Sequence, residues 1–231
     1  MRIAYLVPSR GRPANAARLA QRWRGTAASD THLIFLIDDD DPELPSYEKA
    51  LDKYGDEQIF YMIDERRRVG PTLNHWAPKF AARYDAIGFM GDDHLPQTAR
   101  WDTILGEYLV SRRHGIVYGN DLFQGPNLPT AVLMDATIVR TLGFIVPRGL
   151  THLYLDNFWR DLGMALGTLL YVPQVVIEHL HPQAQKAEWD DGYREVNGGA
   201  MWEVDAAVHQ AFMSDDDGFV SAVRALQQVK A

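Results

Sequence analysis

Three observations predict an α/β fold in which a Rossmann-like central sheet is flanked by helices. Short runs of strand-forming residues alternate with segments whose apolar residues recur at helical spacing. Several of the runs stop abruptly in acids, which puts carboxylates at the carboxyl ends of buried strands, where such sheets bind ligands. The chain has 231 residues, 46% hydrophobic and 11% aromatic, enough to bury one full core.

Composition narrows the chemistry. The absence of cysteine excludes disulfides, thiolate metal sites and cysteine nucleophiles, so any metal must use Asp, Glu or His. It also fits a reducing compartment. The apolar run at the amino end is too short for a signal peptide, and no stretch of about 18 apolar residues is present for a membrane span. A cytoplasmic protein is expected. A net charge of −8 argues against a purely DNA-binding role.

The chain opens with a strand over residues 3–7 and a turn-rich loop, Pro8-Ser9-Arg10-Gly11-Arg12-Pro13. A helix follows, with Ala16, Leu19, Ala20 and Trp23 on one face and Gly25 just past its end. The loop is neither a Walker P-loop nor a Gly-x-Gly-x-x-Gly dinucleotide turn. A second strand, residues 32–37, ends in Asp38-Asp39-Asp40-Asp41, and Pro45 opens a helix closed by Gly55. A third strand, residues 58–63, leads to Arg66-Arg67-Arg68 before a helix burying Leu73, Trp76, Ala77 and Phe80. That triplet is either a solvated turn or a phosphate contact.

The next strand delivers Gly91-Asp92-Asp93-His94. Adjacent acids repel, so this arrangement is either a polar turn or a site where a cation or sugar hydroxyl compensates. Then come a helix with Trp101, Leu105 and Leu109 on one face, strands at 115–118 and 130–134, a pocket-shaping loop at 119–126, and a helix capped by Asp135 and ended by Gly143. Asp156 stands at the start of a further helix, where an acid is by default a cap. A last strand, residues 171–177, is interrupted by Pro173 and runs into His179 and His181, which point the same way if the segment is extended. From Gly198 the pattern is helical, with Asp215-Asp216-Asp217 as a cap cluster. Trp76, Trp101, Tyr118, Phe123, Tyr154, Phe158 and Trp159 could supply a stacking platform or fill the core.

Taken in order, the Pro8-Ser9-Arg10 loop, Asp38-Asp39, Val69-Gly70-Pro71-Thr72-Leu73-Asn74, Gly91-Asp92-Asp93, Leu155-Asp156-Asn157-Phe158-Trp159 and Glu178-His179-Leu180-His181-Pro182 resemble family 2-like glycosyltransferases of GT-A fold. The resemblance implies a mixed sheet in a GT-A domain over residues 1–182, with 183–231 as a helical extension packed on it. It implies a nucleoside-diphosphate sugar as donor, most commonly UDP-linked, with Mn²⁺ or Mg²⁺ as cofactor. Pro8, Ser9 and Arg10 would border base and ribose, Asp39 would hydrogen-bond the base, and Asp92, Asn74, Arg66 and Arg68 would hold the rest of the donor. Asp93 would bind the metal with His181, or with His179 in its place. Asp156 would be the general base of an inverting transfer. Gly91 departs from the family's Asp-x-Asp pattern by one acid. The acceptor is open: a glycan, a protein, a small molecule or a modified DNA base. Three other readings compete, a non-catalytic nucleotide-sugar-binding module, a sugar-phosphate nucleotidyltransferase, and a structural or interaction protein that binds no nucleotide. The nucleotidyltransferase expects a glycine-rich first loop, and this one has a single glycine.

Overall fold

Strand β1 (Ile3–Ser9) shows how the core is built. Its residues alternate between faces: Ile3, Tyr5 and Val7 join one buried cluster, and Ala4 and Leu6 join another on the opposite side of the sheet. A strand buried on both faces is what a sheet with helices on either side requires. The computed structural model describes residues 1–28, 30–54, 58–196 and 199–229. Gly55 and Gly198, expected at a helix end and a helix start, lie outside them.

β1 lies between β2 (Thr31–Asp38) and β4 (Ala86–Phe89), parallel to both, and β3 (Ile59–Asp64) continues the parallel set beyond β2. β7 (Val132–Asp135) is antiparallel to β4 and to β6 (Ile116–Asn120). β8 (Leu169–His179) runs parallel to β6, and the three-residue β5 (His94–Pro96) pairs antiparallel with β8. The order is β3-β2-β1-β4-β7-β6-β8-β5, a mixed sheet.

On one face, α1 (Pro13–Thr26), α2 (Leu44–Leu51) and α4 (Trp101–Val110) cover a core in which Tyr5, Trp23 and Trp101 meet edge to face, with centroids 4.9–5.6 Å apart. Tyr5 needs a glycine beside it: a Cβ on Gly88, its partner across β1 and β4, would fall 2.3 Å from the ring. On the other face lie α3 (Val69–Ala81), α5 (Ala136–Leu142) and α6 (Leu155–Leu166). α5 begins and ends as expected, with the Asp135 carboxylate accepting from Thr137 N–H and Gly143 left-handed. Gly25, by contrast, falls inside the last turn of α1.

Residues beyond 182 form α7 (Asp191–Val196), α8 (Gly199–Ser214) and α9 (Ser221–Gln228). Leu226 is buried in the second cluster, with Val208 and Phe212 packed against it. Asp205 of α8 is wholly buried and staples the chain ahead of α6. Its carboxylate accepts from the N–H groups of Thr151, His152 and Leu153 at 2.7–2.9 Å, and from the Thr151 hydroxyl. No helix among the described residues is long and apolar enough to cross a membrane.

Candidate active site

The carboxyl ends of β1, β2 and β4 open on a cavity of about 500 Å³. Gly91, Asp92 and Asp93 form the turn between β4 and β5, and both acids are buried. The missing acid of the Asp-x-Asp pattern has a steric reason: a Cβ at Gly91 would lie 2.4 Å from Asp93 Oδ1. The two carboxylates face different partners. Asp92 belongs to the first loop. A relay runs from the Arg12 N–H through the Tyr47 and Ser9 hydroxyls, 2.8 and 2.6 Å, to Asp92 Oδ2 at 2.6 Å. Asn15 Nδ2 (3.4 Å) and the Arg12 guanidinium (3.6 Å) lie on Asp92 Oδ1. Burial, and secondarily the Asp93 charge, push Asp92 up to about 6.

Asp93 faces imidazoles. Its Oδ1 lies 3.0 Å from His94 Nδ1 and its Oδ2 3.4 Å from His179 Nε2. Burial pushes this carboxyl upward, but hydrogen bonds from His179 and His94 outweigh it and hold it well below the usual range. β5 creates the pairing, because His94 sits directly opposite His179 on β8 and the rings stack at 4.0 Å. Asp93, His94 and His179 each offer a donor atom within 4.8 Å of the others. His181, expected first, is outside that cluster. It lies beyond the end of β8, its Nδ1 accepts from Gln183 N–H at 3.2 Å, and its ring stacks on Phe123. It still lines the cavity, and burial lowers it to about 4.

Pro8, Ser9, Arg10, Arg66 and Arg68 line the cavity with Arg12. Asp39 does not: Asp38 is the last paired residue of β2 and faces inward, 3.0 Å from Arg10, whereas Asp39 is exposed. Asn74 is also placed elsewhere. Its side chain bonds the backbone of Ile145 and Val146 at 2.9–3.2 Å and is spent on holding the loop after α5. Arg68, just before α3, has φ 70 and ψ 167, a conformation nearly confined to glycine. Gly70 explains why the backbone is forced here: its N–H donates to Thr151 O at 2.9 Å, and a Cβ would lie 2.1 Å from Leu150 O.

Asp156 also lines the cavity, in the first turn of α6, where its Oδ1 accepts from Asn157 N–H at 2.9 Å. The cap position itself is Tyr154, left-handed at φ 64. Burial raises the Asp156 carboxyl above its ordinary value. His152 stands nearby, lowered by burial to about 4. Of the expected aromatic set only Tyr154 and Trp159 reach the cavity.

Residues of the carboxyl-terminal segment also line the cavity. Asp190 takes Arg12 in a bidentate pair at 2.7 Å, Glu195 pairs with Arg68 at 2.5 Å, and the Tyr193 hydroxyl bonds Asp93 Oδ2 beneath the Arg12 guanidinium.

No protein-family model matches the sequence, and no curated protein matches it. Solved structures do. The mannosyltransferase PcManGT from Pyrobaculum calidifontis, in complex with GDP-Man and Mn2+, superposes with a TM-score of 0.62 over 98% of this chain and 73% of its own, at 11% identity. Glucosyl-3-phosphoglycerate synthase from Mycobacterium tuberculosis, in complex with Mn2+, UDP and phosphoglyceric acid, gives 0.63 over 91% and 78%, at 14% identity. S. aureus TarS gives 0.63 over 98% of this chain and 42% of its own, at 9% identity. These are GT-A-type glycosyltransferases.

The chain has the GT-A fold.

At these identities the likeness concerns the fold, and the narrower likeness to family 2 rests on the motif order in the sequence. In this GT-A chain the set of one carboxylate and two imidazoles suits Mn²⁺ better than Mg²⁺, which keeps to oxygen ligands. Gly91 N–H points at His94 Nδ1 from 3.1 Å. The residues fit a divalent ion. Sequence reasoning assigned no role to Arg12, His94, His152, Tyr193 or Glu195. Arg12 and His94 adjoin residues it did single out, while 183–197 shows no periodicity to read.

Proposed function

We propose that the chain is a metal-dependent glycosyltransferase, moving a sugar from a nucleoside-diphosphate sugar to an acceptor hydroxyl with inversion. The observation that carries this is one cavity at the strand ends lined by Asp93 against two imidazoles, by four arginines, and by a half-buried acid, Asp156. Asp93 and His179 would hold the ion, with His94 beside them. When bound, it neutralises charge growing on the departing diphosphate. Arg12, Arg66 and Arg68 would take the phosphates, Arg12 and Arg68 first releasing Asp190 and Glu195. Pro8, Ser9, Arg10 and Asp92 border base and ribose, and Asp38 takes the base contact expected of Asp39. UDP or GDP is the favoured carrier, since the solved neighbours hold UDP, UDP-GlcNAc or GDP-Man.

Asp156 accepts the proton of the acceptor hydroxyl. That oxygen bonds to the sugar carbon as the bond to the diphosphate breaks, and its electron pair leaves with the diphosphate. A raised carboxyl is a better base for this than an ordinary one. Such a base contributes about 10²–10⁴-fold, roughly 3–5 kcal/mol of barrier.

Release of nucleoside diphosphate from UDP-, GDP- and dTDP-sugars in the presence of Mn²⁺ tests the proposal. One donor class should turn over, and Asp156→Asn should slow it about 10²–10⁴-fold while donor affinity holds. If Asp156→Asn turns over normally and loses only a little stability, the residue is a first-turn acid that supports the amino end of α6 and not the base.

A further inference from the structure

Residues 190–196 reach Arg12, Arg68 and Asp93, three of the groups that would hold the diphosphate and its ion. Asp190 accepts from Arg12 Nε and Nη2, both at 2.7 Å. Glu195 accepts from Arg68 Nη2 at 2.5 Å, and the Tyr193 hydroxyl donates to Asp93 Oδ2. That oxygen is also the one 3.4 Å from His179 Nε2. The three side chains belong to one unit. Asp190 accepts the Tyr193 N–H on Oδ1 at 2.8 Å and the Arg194 N–H on its carbonyl at 3.0 Å, so it caps α7 while it holds Arg12. Tyr193 and Glu195 both lie in that short helix. The Arg12 guanidinium lies over the Tyr193 ring, 4.1 Å from its centre.

A carboxylate that pairs with a guanidinium through two N–H groups uses the same fork that a phosphate uses. Asp190 takes that fork on Arg12, Glu195 takes one arm of it on Arg68, and the Tyr193 hydroxyl takes the Asp93 oxygen assigned to the ion. A diphosphate brought beside these acids loses their partners and adds like-charge repulsion. We infer that residues 190–196 are a self-competing strap, which a nucleoside diphosphate and its metal ion must displace. The strength of the contacts suits a strap that opens reversibly. The Asp190 and Glu195 side chains are 45% and 48% exposed, and ion pairs in such a setting are weak. The inference rests on the reading of the cavity as the donor site, and it adds an internal competitor that sets the apparent affinity there.

Calorimetric titration of UDP and of GDP in excess Mn²⁺ compares wild type with the double variant Asp190→Asn, Glu195→Gln. Both changes keep the shape of the side chain, and Asn at 190 still caps α7. The diphosphate that binds should bind the double variant about tenfold more tightly, the factor for a strap closed in roughly nine molecules of ten. Hydrogen exchange on the wild type gives a second readout that needs no variant. The Tyr193 and Arg194 amides should exchange faster once the diphosphate and Mn²⁺ are bound. Equal or weaker binding by the double variant overturns the inference, because the acids would then be idle or would help to hold the donor. Slower or unchanged exchange of those amides overturns it as well. If neither protein binds UDP or GDP, the donor-site reading itself fails and takes the strap with it, whereas equal binding by both proteins removes the strap alone.

Discussion

Gly91 shows how a single missing side chain shapes the site. At the position of the missing third acid, the backbone brings Cα so close to Asp93 that a methyl group would meet Oδ1 at 2.4 Å. The neighbouring atom is the end of a side chain, so the chain would fold and Asp93 would swing away from His94. Gly91→Ala should therefore weaken Mn²⁺ binding about tenfold or more with little change in melting temperature, as a metal titration beside a thermal melt would show. Strand-end position singled out Asp92 and Asp93 in the sequence, whereas Asp156, at a helix start, was singled out only by the family resemblance. The choice between neighbours was not legible. Asp38 faces the cavity because β2 extends one residue further than its apolar run. His179, and not His181, stands beside Asp93 because the two-residue alternation that makes them equivalent stops where β8 stops.

At the level of elements, the long periodic helices and the parallel strands were readable, and the short connectors that finish the site were not. β5 is three residues long, with no pattern to detect, yet it sets His94 against His179. Pro173 does not break β8. It is exposed and falls where the ladder to β6 skips from Val172 to Val176, so its missing N–H costs nothing there. The staple from α8 was equally hidden, because a lone Asp in a helical pattern carries no sign of burial. Asp205→Ala would leave three amide N–H groups and a hydroxyl without their acceptor. It should cost about 2–4 kcal/mol, a loss that chemical denaturation would measure. Because the same staple places His152 and the start of α6, donor turnover should fall with it. A variant as stable as wild type would show that the turn holds its own shape.

Across the whole molecule, a chain of net charge −8 gathers four arginines around one cavity. The histidines there give stability a pH dependence. His152 is lowered by burial to about 4, against an ordinary 6.5, so the folded protein resists a proton that the unfolded chain accepts. Its contribution is complete above about pH 6.5 and is lost as pH falls toward 4. Asp92, pushed up to about 6, works in the opposite direction over the same range. Comparison with His152→Gln isolates the histidine: the fall in melting temperature between pH 7 and pH 5 should be smaller in the variant. An equal fall in both would mean that His152 is hydrated in the folded state.

The central claim is that Asp93 and its histidines hold a divalent ion that in turn holds a nucleoside diphosphate. Thermal melts of wild type and Asp93→Ala with UDP, GDP, CDP, dTDP and ADP, each with and without Mn²⁺, test it most directly. One diphosphate should raise the wild-type melting temperature only with Mn²⁺, by roughly 5–10 °C at a hundredfold excess over its dissociation constant, and Asp93→Ala should lose the effect. Equal stabilisation of both proteins, stabilisation without metal, or none by any diphosphate would contradict the claim.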